Sequence, residues 1–142
     1  MNPVASRSAL VAFVLAAGAA HAMTGGSVDA KFRGTWVPAK AACASPLKLV
    51  IEANQVSFVN GSQRADYRKL EQCFSCAGGA RDLDPPTMLS TDAMGDSPWT
   101  IYLDRKRKTP TLTVDFSNDR KLGARLPLGN AALKKCPTSC RC

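Results

Sequence analysis

Residues 47–61 read Leu-Lys-Leu-Val-Ile-Glu-Ala-Asn-Gln-Val-Ser-Phe-Val-Asn-Gly, and they decide the fold class. Leu47, Leu49 and Ile51 recur with period two, the signature of a strand with one buried face. Glu52-Ala53-Asn54 ends the run, and Val56-Ser57-Phe58-Val59 begins a second one. The two read as strands joined tightly through residues 53–55. Asn60-Gly61 then signals another hairpin, expected as a type I′ turn. It also matches a glycosylation sequon, which the turn reading outweighs.

The same texture continues outward. Residues 63–70 are the next expected strand, with Arg64, Asp66 and Arg68 alternating along its wet face. Residues 73–86 read as a loop: Cys-x-x-Cys, Gly78-Gly79, then Asp84-Pro85-Pro86. Residues 87–90 form a short strand. Residues 99–103 are rich in β-formers and pair with 111–116, where Leu112, Val114 and Phe116 share one face. A further strand is expected over 121–128, and a helical turn or last strand over 130–135. No segment carries a sustained 3.6-residue apolar period. The chain therefore reads as all-β, a small antiparallel barrel or sandwich, stapled by disulfides.

The first residues read as an address. Arg7 is followed by an apolar run over 9–20 and by Ala20-His21-Ala22. A charged start, a short apolar stretch and an A-x-A site make a secretory signal peptide. The run is too short for a membrane span of roughly 20 residues. The expected organisation is a signal peptide over 1–22, a flexible segment over 23–31, one β domain over 32–136 and a Cys-rich tail over 137–142.

Cleavage after Ala22 changes the chemistry on offer. The whole chain has 142 residues, a formal charge of +8 and one His. Arg7 is the only charge in the leader, so the exported chain keeps +7. His21 leaves with the leader. Neither a Ser-His-Asp nor a Cys-His arrangement is then available. Glu52 and Glu71 are the only glutamates, while Asp82, Asp84, Asp92 and Asp96 sit in turn-like sequence. Gly78-Gly79 lacks the Lys and the helix of a phosphate loop. The expected protein is not an enzyme and has no cofactor or metal.

All six cysteines, Cys43, Cys73, Cys76, Cys136, Cys140 and Cys142, stay in the exported chain. In a small exported domain an even set reads first as a disulfide framework. The favoured bond joins Cys43 to Cys136, or Cys43 to Cys73 or Cys76. Two chemical readings weigh less. Cys73-x-x-Cys76 has redox spacing, but Ala77-Gly78-Gly79 is poor material for the helix that would lower a thiol pKa. Cys73, Cys76, Cys136 and Cys140 would make a four-thiolate zinc set, with loose spacing in the second half.

Candidate binding residues remain. Arg105-Lys106-Arg107-Lys108 is the densest charge run, at the expected tip of the 99–103 and 111–116 hairpin. It reads as a solvated turn or as a docking knob for a protein or an anionic envelope component. Nucleic acid is not an expected partner, because no aromatic interleaves the run to stack bases. Trp36 and Trp99 read first as core and second, with Tyr102, as the lining of a ligand cavity.

Phe32-Arg33-Gly34-Thr35-Trp36 resembles the Gly-x-Trp opening strand of lipocalin-like barrels. A closer partial likeness is to small periplasmic metalloprotease inhibitors of bacteria. These share a signal peptide, a Gly-x-Trp strand, a Cys and an alternating Leu strand, here Gly34, Trp36, Cys43, Leu47 and Leu49. The resemblance implies an antiparallel barrel whose flexible N-terminal segment, here residues 23–27, enters a protease cleft. Cys73-x-x-Cys76, the Cys-rich tail and the basic charge depart from that pattern. The expected role is secreted or periplasmic non-enzymatic binding, with protease inhibition as its concrete form. A small-ligand carrier and a cationic docking module are the alternatives. N-terminal sequencing of the exported protein should start at Met23; an intact Met1 would contradict the export reading.

Overall fold

The computed structural model describes residues 23–24, 27–73, 87–92, 96–104 and 109–137. The expected leader, the Arg105–Lys108 run, Cys76, Cys140 and Cys142 lie outside them. Ten strands follow in chain order: β1 (Met23–Thr24), β2 (Gly34–Pro38), β3 (Leu47–Ile51), β4 (Val56–Asn60), β5 (Gln63–Tyr67), β6 (Glu71–Cys73), β7 (Thr87–Ser90), β8 (Thr100–Asp104), β9 (Thr111–Asp115) and β10 (Leu133–Lys135). One short helix, α1 (Arg120–Arg125), and a 3-10 turn at Ala30–Phe32 complete the described elements.

All strands join one antiparallel sheet in the order β1-β6-β7-β8-β9-β10-β2-β3-β4-β5. Two meanders, β2 to β5 and β6 to β10, meet where β10 pairs with β2. There Leu133, Lys134 and Lys135 face Pro38, Val37 and Trp36. The edge strand β5, and β6 next to the opposite edge strand β1, belong to one stretch of chain, residues 63–73. Its first half ladders with β4 and its second half with β7. Only residues 68–70 interrupt it, so the sheet curls and the pairing circuit returns toward itself. Sequence expected one strand over 63–70 and a loop from Cys73. The polar Arg68-Lys69 break and the pairing of Glu71, Gln72 and Cys73 with β7 redraw that boundary.

The curl encloses the core. Trp36, Leu49, Ile51, Val56, Phe58, Leu89, Trp99, Ile101, Leu103, Leu112 and Val114 are all at most 1% exposed. These are the inward positions of the expected alternation. Aromatic rings bridge the interior: Phe58 meets Trp99 at 5.3 Å and Phe116 at 5.4 Å, and Tyr67 meets Trp99 at 5.3 Å. Such ring contacts add about 0.5–1.5 kcal/mol each beyond area burial.

The expected strand over 121–128 is a helix instead. Asp119 caps it, its carboxylate accepting from Leu122 N at 2.8 Å. Leu122 and Leu126, four residues apart, share a helical face and are both buried. Helical spacing thus overrides the extended reading that Leu126 and Leu128 suggest. The β4–β5 hairpin forms as expected, but with a different turn. Asn60 pairs with Gln63, and of the two residues between them only Gly61 has a positive φ, 60°. That is the II′ pattern rather than I′.

The N-terminal segment is tied down at several points. Met23 and Thr24 pair with Gln72 and Glu71. Val28 is buried, and its N–H donates to Ala53 O at 2.8 Å.

Cys43 and Cys136 form a disulfide with Cα atoms 5.7 Å apart and a sequence separation of 93. Cys73 is also disulfide-bonded. In the chain-entropy model, closing a loop that long stabilises by about 4–5 kcal/mol. Domains of this size are stable by only about 5–15 kcal/mol. Cys43→Ala/Cys136→Ala should therefore lower the unfolding free energy by about 4 kcal/mol in urea titration; a loss below about 1 kcal/mol would show that the staple does not support the fold.

Candidate functional site

The residues singled out by sequence do not gather into one cavity. Trp36 and Trp99 are 0% and 1% exposed and belong to the core. Tyr102 lies between inward-facing Ile101 and Leu103, so it projects to the other side of β8, where its neighbours are Met88 and Thr113. The carrier lining of Trp36, Trp99 and Tyr102 is therefore divided between two faces. Trp99 Nε1 and Thr87 Oγ1 are buried without a hydrogen-bond partner among the described residues.

The Gly-x-Trp stretch has a structural reason for each residue. Trp36 Nε1 donates to Phe32 O at 2.8 Å, which ties the 3-10 turn to β2. Asp29 caps that turn, accepting from Lys31 N. Lys135, opposite Trp36 in the ladder, reaches over the end of the barrel. Its Nζ donates to Lys31 O at 2.9 Å and stands 5.9 Å from the centre of the Trp36 ring. Its stem crosses Gly34, where a Cβ would come within 3.0 Å of Lys135 Cε. Gly34 also has φ +127°, a conformation that side chains disfavour. This corner closes one end of the core.

Cysteine chemistry is constrained as well. Cys136 is bonded to Cys43, so it is not a free thiolate for a four-cysteine zinc set. Among the described residues, no group of three His, Cys, Asp or Glu side chains comes together to hold a metal ion.

Polar order concentrates on the outer face of β4 and β5. Arg64 Nε contacts both Asp66 oxygens, at 2.8 and 2.9 Å, and Arg64 Nη2 reaches Ser57 Oγ at 3.1 Å. Gln55 Nε2 donates to Ser57 Oγ, and Arg68 Nε donates to Gln55 Oε1. Ser57 is buried beneath these side chains. The Ser57 hydrogen bond, helped by Arg64 and Arg68, holds the Asp66 carboxyl below its ordinary pKa. Alternation of Arg64, Asp66 and Arg68 was visible in the sequence; the link to Gln55 and Ser57 was not, because it depends on the β4–β5 register.

Alongside, α1 lies near β4 and β5. Asn60 Nδ2 donates to Arg125 O at 2.9 Å. Burial, and then the nearby Asp119, push the Tyr67 phenol above its ordinary pKa. A shallow groove of about 450 Å³ opens beside the helix between Phe116, Arg120, Pro127 and Asn130. Gly123 and Gly129 flank the Phe116 ring there. It holds one cation and one acid, Asp115, whose oxygens accept from Ser117.

Compared with protein-family models, with curated proteins and with solved structures, the chain matches none. Its chemistry is thus read from its own geometry. Gly34→Ala should destabilise the fold by about 1–3 kcal/mol, through backbone strain and displacement of Lys135. Thermal unfolding of G34A beside wild type measures this; an unchanged melting temperature would remove the barrel-end corner from the account.

Proposed function

We propose that this chain is an exported, non-enzymatic binding protein that engages its partner through its outer surface, with inhibition of a secreted protease as the concrete form. One observation carries the reading: the interior is filled. Trp36, Trp99 and Phe58 are at most 1% exposed, and the rings of Phe58 and Trp99 meet at 5.3 Å within the described core. Binding then falls to loops, strand faces and chain ends.

The inhibitor form rests on the residues that carry the resemblance. Gly34 and Trp36 sit on β2, Leu47 and Leu49 on the adjacent β3, and Trp36 pairs directly with Leu49. Cys43 in the connecting loop is bonded to Cys136. The inhibitory element under this reading is residues 23–27, ahead of the buried anchor Val28. Its hold on β6 is a two-residue ladder. So short a pairing is weak on its own, and a protease cleft can compete for the same backbone.

The test compares the chain beginning at Met23 with one beginning at Val28, each titrated against secreted bacterial zinc metalloproteases. The longer form should inhibit stoichiometrically, and the shorter form should lose about a hundredfold or more in affinity. Equal inhibition by both, or none by either across the panel, would overturn the inhibitor form.

A further inference from the structure

Among the described residues, one outer face of the sheet gathers cations from separate strands, while Lys31, Arg120, Lys121 and Arg125 are exposed on other elements. Register and alternation place Lys48, Val59 and Arg64 in one row across the outer face of β3, β4 and β5. Lys134 faces Val37 on the same side of β10 and β2. Val37 itself is buried although it points away from the core. Cys136, which alternation also turns outward, anchors the 39–46 loop on this side through Cys43. That loop carries the exposed Lys40. Arg68 extends the alternation of Arg64 and Asp66. The face thus holds Lys40, Lys48, Arg64, Arg68 and Lys134. Asp66 is the acid among them, and Arg64 already pairs with it.

The described part of the β6 to β9 side has a different composition. The described residues from β6 to β9 include no Lys or Arg, but they include Glu71, Asp92, Asp96 and Asp115. Their outward positions on β7, β8 and β9 are otherwise largely neutral, with Met88, Tyr102 and Thr113 side by side.

Two of the cations are also held in place. Arg64 commits Nε to Asp66 and Nη2 to Ser57. Arg68 commits Nε to Gln55, and its two Nη groups have no hydrogen-bond partner among the described residues. A guanidinium fixed through Nε presents a forked donor ready for a carboxylate or sulfate, with little further entropy to lose.

The geometry points to this face as a docking surface for a linear acidic polysaccharide. Shape selects the occupant. Lys134 to Arg64 spans five neighbouring strands, β10, β2, β3, β4 and β5, of a curling sheet. At roughly 4.8 Å per strand that is an arc of about 20 Å. A flexible chain can follow such a curve, whereas a flat bilayer touches only its crest. The outward positions on these strands, Thr35, Val50, Ser57 and Val59 among them, include no large apolar side chain to enter a membrane. They include no aromatic ring on which the bases of a single-stranded nucleic acid would stack. This surface is independent of protease inhibition by residues 23–27.

The test uses the full exported chain and a fluorescently labelled oligogalacturonate. Lys134→Glu/Arg68→Glu is compared with Lys106→Glu/Arg107→Glu, an equal change of net charge at the expected hairpin tip. Both K134E and R68E lie at exposed positions that leave the Arg64–Asp66 pair intact, and matched thermal melts confirm folding. Wild type should bind with an affinity that falls steeply with salt. The K134E/R68E chain should lose about tenfold or more and show a shallower salt dependence, while the hairpin variant should lose less than about threefold. Equal losses would mean that only net charge matters. A larger loss in the hairpin variant, no binding by wild type, or tighter binding to phosphatidylglycerol vesicles or oligothymidylate would each overturn the proposal.

Discussion

The fold depends on its last strand, β10, finding β2. β10 is three residues long and pairs with β2 through Leu133, Lys134 and Lys135. A ladder that short is marginal by itself. Everything around it reinforces the same seam. Cys136 N donates to Thr35 O at 2.8 Å, and the Cys43–Cys136 bond locks the next turn of chain. Lys135 stretches over Gly34 to the Trp36 ring and to the Lys31 carbonyl. Without this seam the two meanders would be separate sheets, each with an uncovered apolar face.

Closure decides what the interior can be. Once β2 and β10 are joined, Phe58, Tyr67, Trp99 and Phe116 meet across the enclosed space. Rings from β4, from β5, from just before β8 and from just after β9 pack together in the described core. Under the proposed function, the barrel serves as a scaffold and its outer surface serves recognition. The disulfide fits this division, because a small domain with one modest core gains most from a covalent closure of nearly its whole length.

Much of this was legible in the sequence, and the limits have physical causes. Period-two alternation marked β3 and β9, whose inward apolar positions alternate with outward ones, and short runs of β-forming residues marked β4 and β8. It failed at residues 121–128, where leucines at 122, 126 and 128 satisfy both a helical and an extended spacing and the Asp119 cap decides. It misplaced the start of the loop after β5, because a strand that bends at Arg68-Lys69 loses its alternation where it changes neighbours. The charge run at 105–108 drew notice because its cations are adjacent in sequence. Lys48, Arg64 and Lys134 gave no such signal, since only strand register brings them to one face. The buried roles of Trp36 and Trp99 followed from composition; the opposite orientation of Tyr102 needed the pairing of β8 with β7 and β9.

The central claim is that the barrel interior is a solid core and not a binding cavity. Tryptophan emission of the exported chain, titrated with acrylamide and separately with a long-chain apolar fluorophore, tests it most directly. Trp36 and Trp99 are the only tryptophans, so the signal reports on the interior alone. The account predicts blue-shifted emission, little acrylamide quenching and no saturable uptake of the fluorophore. One-to-one binding of the fluorophore with a change in tryptophan emission would contradict it.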